Sequence, residues 1–538
     1  MVVGSSPTGP TIFTARGQIL NDEDMTKSKG MVAAGHELTA KAGVEVLNEG
    51  GNAFDAILAS LAASCVCEPI LSSFAGGGFL LASPAEGESR IYDFFVKTPQ
   101  RPEDQGSMDF KDVDVYYGSV TQKFHIGKAS AGVPGVVLGL FEIHKDLGFM
   151  PMKEILAPAI DYARKGVRTN AYQAFLFQVV RDILATDQTC TRLFTSPHAD
   201  DLLLQEGDLM ILPEMADFME SLAIEGPDLF YRGDIAQTVA GEMEEGGLIT
   251  RADLEQYDVA RREPLSVDYH GAQIEMNAPP SAGGLLIAFG LKLLEQMDIA
   301  KCDHNSEAYL QILAQVMDMT QKARLEKETL GCLKSCFLEP DFIETYRAEF
   351  AGRPAVSRGT THISAIDADR NMASMTVSIG EGSGYIIPGT AIQMNNMLGE
   401  KDLNPAGFHN WEPGERLCSM MTPTMIKWPD GRQVATGTGG ANRIRTAMLQ
   451  QIVKLVDYNL SIEESVKTPR IHLEDRQLDM EGCFDGSFEN LLSRYPNHNV
   501  WEGLSMFFGG IHSVGFDARG INGCGDPRRD GFAMSTSV

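Results

Sequence analysis

The pattern of apolar and polar positions starts cleanly at Met31. Over residues 37–47, Leu38, Ala42, Val46 and Leu47 recur on one side of a helical repeat, which predicts a helix. The stretch Glu49-Gly50-Gly51-Asn52 stops it, and a nearly all-apolar segment, Ala53 to Cys67, predicts a second helix buried on every side. Short strands are expected at Leu80–Ala82 and Ile91–Val96, and a hairpin at Leu265–Tyr269 and Ala272–Met276 around His270-Gly271. An amphipathic helix is expected over Leu285–Gln296. After the Pro- and Arg-containing stretch Arg353–Gly359, which reads as a linker, alternation predicts two strands, Thr361–Ala368 and Met372–Ile379. Further strand signals lie at Ile392–Met397, Thr424–Trp428 and Val434–Thr436, and a helix at about 443–457. Residues 1–30 carry no periodicity and read as a flexible tail. Helices flanking clusters of strands imply a layered α/β or α+β domain.

Composition narrows the function. The 538 residues carry 45 Lys+Arg against 73 Asp+Glu, a formal charge of −28. So acidic a surface repels phosphate backbones and anionic lipid, and excludes nucleic-acid and membrane partners as expectations. Nine cysteines are scattered, Cys65 and Cys67 within an apolar run and Cys332 and Cys336 without a second pair, so free thiols are expected rather than a disulfide framework. No basic region followed by an apolar block opens the chain, which gives the expectation of a cytoplasmic protein. The eleven His residues show no metal-ligand spacing, so neither metal nor cofactor is expected. Gly380-Glu381-Gly382-Ser383-Gly384 follows a strand, but Tyr385-Ile386-Ile387-Pro388 cannot open a phosphate-binding helix, and the run reads as a mobile glycine turn.

The chemically loaded point is Gly359-Thr360. A threonine at the head of a strand, behind a linker and a small residue, becomes a new terminus if the bond before it is cut. Its hydroxyl and α-amine then sit on one residue, and the amine, titrating near about 8, can accept the hydroxyl proton at neutral pH.

Taken in order, several segments resemble the gamma-glutamyltranspeptidase family of N-terminal-nucleophile hydrolases. They are Gly30-Met31-Val32-Ala33, the run from Ala42 through Glu49-Gly50-Gly51-Asn52 to Ala56, Gly76-Gly77-Gly78-Phe79 and Val133-Pro134-Gly135. Pro279-Pro280-Ser281-Ala282-Gly283-Gly284, Thr360-Thr361-His362-Ile363-Ser364, Pro423-Thr424, Thr436-Gly437-Thr438-Gly439-Gly440 and Asp526-Pro527-Arg528-Arg529 continue the series. The resemblance implies an α+β fold, a four-layer αββα sandwich. It also implies self-cleavage between Gly359 and Thr360 into a large subunit (31–359, behind the 1–30 tail) and a small one (360–538). Thr360 would be the nucleophile, Ser378 its hydroxyl partner, Gly439 and Gly440 the oxyanion loop, and Glu400 and Ser419 substrate-binding residues. The implied activity is cleavage of γ-glutamyl amides such as glutathione, with transfer to water or to an amino acid or peptide. Phe95 stands where typical members carry a carboxylate-binding Arg, Lys97 is a candidate replacement cation, and Met397 and Gly380 replace two polar positions. An apolar wall from Phe95 and Met397 supports the alternative of a cephalosporin- or glutaryl-acylase-like enzyme, and the altered pocket a third, an inactive binding relative. Hydrolysis against transfer, the acceptor and the oligomeric state stay open.

Overall fold

The computed structural model describes residues 29–100, 108–117, 120–200, 202–295, 297, 299–329, 338, 359–404 and 407–536. Most of the expected tail (1–28), the linker 353–358, and Cys332 and Cys336 lie outside these residues.

Helix α2 (Ala53–Cys67) is buried along its whole length. Its start is fixed by a reciprocal cap: Asn52 Oδ1 accepts from the amides of Phe54 and Asp55, and the Asp55 carboxylate accepts from the Asn52 amide. It packs on α1 (Glu37–Asn48) and on the outer face of the first sheet. Cys65 and Cys67 are buried thiols here, and burial pushes Cys65 up to about 12.

That sheet comprises β1 (Gly30–Ala34), β2 (Gly77–Ser83), β3 (Arg90–Phe94), β4 (Ala260–Arg262), β7 (Thr360–Asp367), β8 (Met372–Ser378) and β13 (Phe532–Ser535). Their spatial order is β13-β1-β7-β8-β2-β3-β4, and every pairing is antiparallel. The second sheet holds β5 (Leu265–Tyr269), β6 (Ala272–Met276), β9 (Thr424–Lys427), β10 (Gln433–Gly439), β11 (Gly510–Asp517) and β12 (Gly520–Cys524), in the order β12-β11-β10-β9-β6-β5. Strand β7 packs on β10 and β11 across the space between the sheets. Helices α3 (Ala282–Leu294) and α4 (Arg443–Val456) pack together, α3 against β5 and α4 against β10. Both sheets therefore interleave strands from before and after residue 359.

Several expected boundaries shift, and three of the shifts have a clear hydrogen-bonding reason. Strand β3 stops at Phe94, because from Val96 onward the backbone pairs elsewhere: Leu417 N donates to Val96 O (3.1 Å) and Thr98 N to Glu415 O (2.8 Å). The strand expected over 392–397 shrinks to Ile392–Gln393, followed by one 3₁₀ turn at Met397–Gly399, since Asn395 Oδ1 takes the amides of Gly132 and Met397 that a ladder would need. Helix α3 starts three residues early, at Ala282, because the amides of Ala282 and Gly283 find an acceptor in the Ser419 carbonyl (2.9 and 3.3 Å).

Among the described residues no helix is long and apolar enough to cross a membrane, and no group of three or more His, Cys, Asp or Glu could hold a metal ion.

Candidate active site

The antiparallel register of β7 and β8 sets Thr360 opposite Ser378, and the next pairing sets Ser378 opposite Gly77. Residues laterally paired in a sheet share a face. Here that face is the one toward the second sheet: further along the same strands, Ser364 Oγ donates to His512 O (3.1 Å) and Ser374 Oγ to Thr436 O (3.0 Å). Thr360 thus lies at the end of the inter-sheet space, only 4% exposed.

Its hydroxyl belongs to a short chain of bonds. Thr360 Oγ1 donates to Ser378 Oγ (3.3 Å), Ser378 Oγ donates to Gly359 O (2.6 Å), and the Gly380 amide donates back to Ser378 Oγ (3.0 Å). The Ser378 hydroxyl therefore spends its one proton and both acceptor sites at this junction. The Thr360 carbonyl is held separately, by Arg529 Nη1 at 2.8 Å.

On the opposite face of β7, Thr361 Oγ1 donates to Glu68 Oε2 and Thr39 Oγ1 to Glu68 Oε1, each at 2.8 Å. Burial dominates there and pushes the Glu68 carboxyl up to about 7, although those hydrogen bonds and Arg529 pull the other way. His362 bonds Thr376 Oγ1 (2.8 Å) and Ser364 Oγ (3.0 Å), and burial holds it well below the usual histidine range, hence neutral. It is a support for β7, two residues from the nucleophile candidate.

Gly439, which ends β10, covers Thr360, and Gly440 follows it. A Cβ on Gly439 would fall 2.1 Å from Thr360 O and 2.7 Å from Arg529 Nη1, so only glycine admits this approach. Gly440 has φ +128 and its carbonyl accepts from the Arg443 amide (3.0 Å), which starts α4. Glu400, 1% exposed, comes to the same corner: a Cβ on Gly380 (φ +71) would lie 2.3 Å from Glu400 Oε1 and 2.2 Å from Asn396 Oδ1. Gly380 leaves room for that carboxylate. Thr360, Ser378, Gly359, Gly439 and Glu400 are thus brought together. Ser419 is less direct: its hydroxyl accepts from the Met421 amide (3.1 Å), and its strip of chain runs beside Val96.

Sequence reasoning missed two groups. Arg529 lies in the turn capped by Asp526, which is fully buried and whose carbonyl accepts from the Arg529 amide (3.2 Å). The Asp526 carboxylate accepts from Arg470 Nη2 (2.6 Å), from the Ile511 amide (2.8 Å), and from the Arg528 amide and side chain (3.0 and 3.2 Å). Burial works against ionisation of Asp526, but Arg470 and Arg528 outweigh it and hold the carboxyl well below the usual carboxylate range. The motif Asp526-Pro527-Arg528-Arg529 signalled importance without revealing this role. The second group is Glu381. The run Gly380–Gly384 is no loose turn, for Glu381 is 3% and Ser383 1% exposed, and Glu381 Oε1 accepts from the Gly359 amide at 2.6 Å.

Two expectations about the pocket wall are corrected. Phe95 is 1% exposed and stacks on Phe79 (centroids 5.2 Å apart) inside the inter-sheet core that also holds Met397 and Met421. Its carbonyl, not its ring, carries the polar contacts, accepting from Tyr257 Oη and Arg416 Nη1 (both 2.7 Å). Lys97 is not a replacement cation. With β3 ended at Phe94, its ammonium turns outward to pair with Asp258 and sits 5.6 Å over the Tyr257 ring. Replacing Phe95 by Arg therefore buries a charge beside Phe79. Phe95→Arg is expected to cost about 2 kcal/mol or more in urea denaturation, and an unchanged midpoint would show that the ring faces an open pocket.

A sheet pair with a buried threonine hydroxyl at a strand head, a partner hydroxyl and a glycine cover is the arrangement of an N-terminal-nucleophile hydrolase. Residues 39–536 match the family described as Gamma-glutamyltranspeptidase, and the chain belongs to it. It is 28% identical to a glutathione hydrolase proenzyme of Bacillus subtilis (strain 168), covering 95% of this chain and 92% of that one. It is 29% identical to the acylase ACY 1 proenzyme of Pseudomonas sp. (strain SE83), covering 95% and 94%. In fold it resembles the crystal structure of cephalosporin acylase from Bacillus halodurans, with a TM-score of 0.81, 22% identity, and coverage of 100% of this chain and 99% of that one.

Proposed function

We propose that this chain is a self-processing amide hydrolase and acyltransferase, with a four-layer αββα sandwich formed jointly by residues 31–359 and 360–538 after a cut before Thr360. The observation that carries the reading is the bonded series Thr360 hydroxyl, Ser378 hydroxyl, Gly359 carbonyl. In the uncut chain Ser378 polarises the carbonyl to be attacked. As Thr360 Oγ bonds to the Gly359 carbonyl carbon, its proton passes to Ser378, and the Ser378 proton to the developing oxyanion. The carbon–nitrogen bond then breaks, the nitrogen takes a proton and becomes the Thr360 α-amine, and water hydrolyses the resulting ester. In turnover, that amine takes the Thr360 hydroxyl proton, and Oγ attacks the substrate amide. The Gly439 and Gly440 amides receive the oxyanion, the leaving amine takes the proton, and water or an amine acceptor releases the acyl group.

For the acyl group, γ-glutamyl comes first. The buried carboxylate of Glu400 beside Gly380 suits an acyl chain ending in an ammonium group, and Ser419 adds a hydroxyl further along. The acylase reading draws on the 29% identity, over 95% of this chain, to the acylase ACY 1 proenzyme. Hydrolysis of γ-glutamyl and glutaryl anilides by the same preparation separates the two, since they differ only in the amino group. The γ-glutamyl compound is expected to have the higher kcat/KM by about tenfold, the worth of one charge-assisted bond. A faster glutaryl compound would favour the acylase reading.

A further inference from the structure

Glycine at position 359 gives the bond to be cut little orientation of its own. Without a side chain, both of its backbone torsions are loose, and fixing them costs conformational entropy. Attack by the hydroxyl of the very next residue needs the peptide plane turned so that Oγ faces the carbonyl carbon. The carbonyl end of residue 359 is fixed by Ser378. The amide end is fixed by Glu381, at 2.6 Å.

We propose that Glu381 is the positioning residue of self-cleavage: its buried carboxylate grips the Gly359 amide and holds the Gly359–Thr360 bond in line for the Thr360 hydroxyl. The inference rests on the reading that the cut falls before Thr360, and adds to it the residue that orients the bond.

Glu381 is itself held rigidly. Its amide donates to Asn396 Oδ1 (2.9 Å), and Ile379 and Glu381 form a bridge around Gly380. A Cβ on residue 359 would lie 2.5 Å from Gly380 O and 3.0 Å from Ile70 O, so the slot that receives this residue is closed on those sides. Residue 359 is therefore seated by a carboxylate at its nitrogen, a hydroxyl at its oxygen and backbone around its Cα. Glu381 touches none of the atoms whose bonds change. Oγ bonds to the Gly359 carbon and the Thr360 nitrogen leaves it, while the Gly359 nitrogen stays bound to its own Cα throughout. What Glu381 supplies is an acceptor, not a proton acceptor for the reaction, and an amide oxygen at the same reach serves as well.

The test follows cleavage of freshly purified, uncut full-length chain by intact mass, for wild type, Glu381→Gln and Glu381→Leu, with melting measured on each. Glu381→Gln should be cut within about threefold of wild type, and Glu381→Leu about 100-fold more slowly, the cost of a small misplacement. The Leu variant should melt like the Gln variant. Leu cut at the wild-type rate, or Gln as slow as Leu, would overturn the inference. Should Glu381→Leu fail to fold, Glu381→Asp takes its place; it keeps the charge but withdraws the oxygens by one methylene, and slow cutting is again expected. If wild type is never cut between 359 and 360, the reading of the cut site fails instead, which this design reports separately.

Discussion

Thr360→Ala is expected to stay one uncut polypeptide and to lose amide turnover by about 10⁴-fold or more. In the proposed mechanism one hydroxyl serves both reactions, attacking the Gly359 carbonyl in the precursor and the substrate carbonyl afterwards, so its removal should stop both. The substitution removes only Oγ and the methyl group from a residue whose carbonyl is held independently by Arg529, so the β7–β8 register and the fold should survive. Thr360→Ser keeps the hydroxyl and should still be cut, more slowly because it lacks the methyl group that restricts rotation. A gel of the Ala variant showing the same two pieces as wild type would remove Thr360 from the reaction.

The second large effect is on stability. Asp526→Ala should lose about 3–5 kcal/mol, because it leaves Arg470 and Arg528 buried without the carboxylate they share. Arg528 keeps Glu481, and Arg470 keeps carbonyl acceptors at Val466 and Phe508, so the loss belongs to the missing charge rather than to wholesale collapse. The same change frees the turn that carries Arg529, so the hold on the Thr360 carbonyl should loosen and self-cleavage slow with it. Measured by urea denaturation in the uncuttable Thr360→Ala chain, a loss below about 1 kcal/mol would show that Asp526 is not the pivot of this cluster.

Local pattern made much of the frame legible. The buried helix Ala53–Cys67 and the hairpin around His270-Gly271 follow from runs and turns only a few residues long, and both are found at the expected residues. Ser378 could be placed on the second of two consecutive strands and Thr360 immediately ahead of the first for the same reason, and the observed strand begins at Thr360 itself. What the pattern could not carry was pairing across the chain. Arg529 meets a carbonyl 169 positions away, and Val96 leaves its strand for a segment more than 300 residues later, which turned Lys97 away from the place a two-residue repeat assigns it. Glu381 was hidden differently: glycines on both sides read as looseness, whereas the fold uses their positive φ to bury a carboxylate against the junction.

The backbone of the mature protein is expected to begin anew at Thr360. Sequencing from the amino end of the smaller chain, after purification of active protein, tests this most directly. It should read Thr360-Thr361-His362-Ile363-Ser364 with an unblocked amine, and acetylating that amine should abolish turnover. An active protein whose backbone is intact across 359–360, or whose smaller chain starts at any other residue, would contradict it.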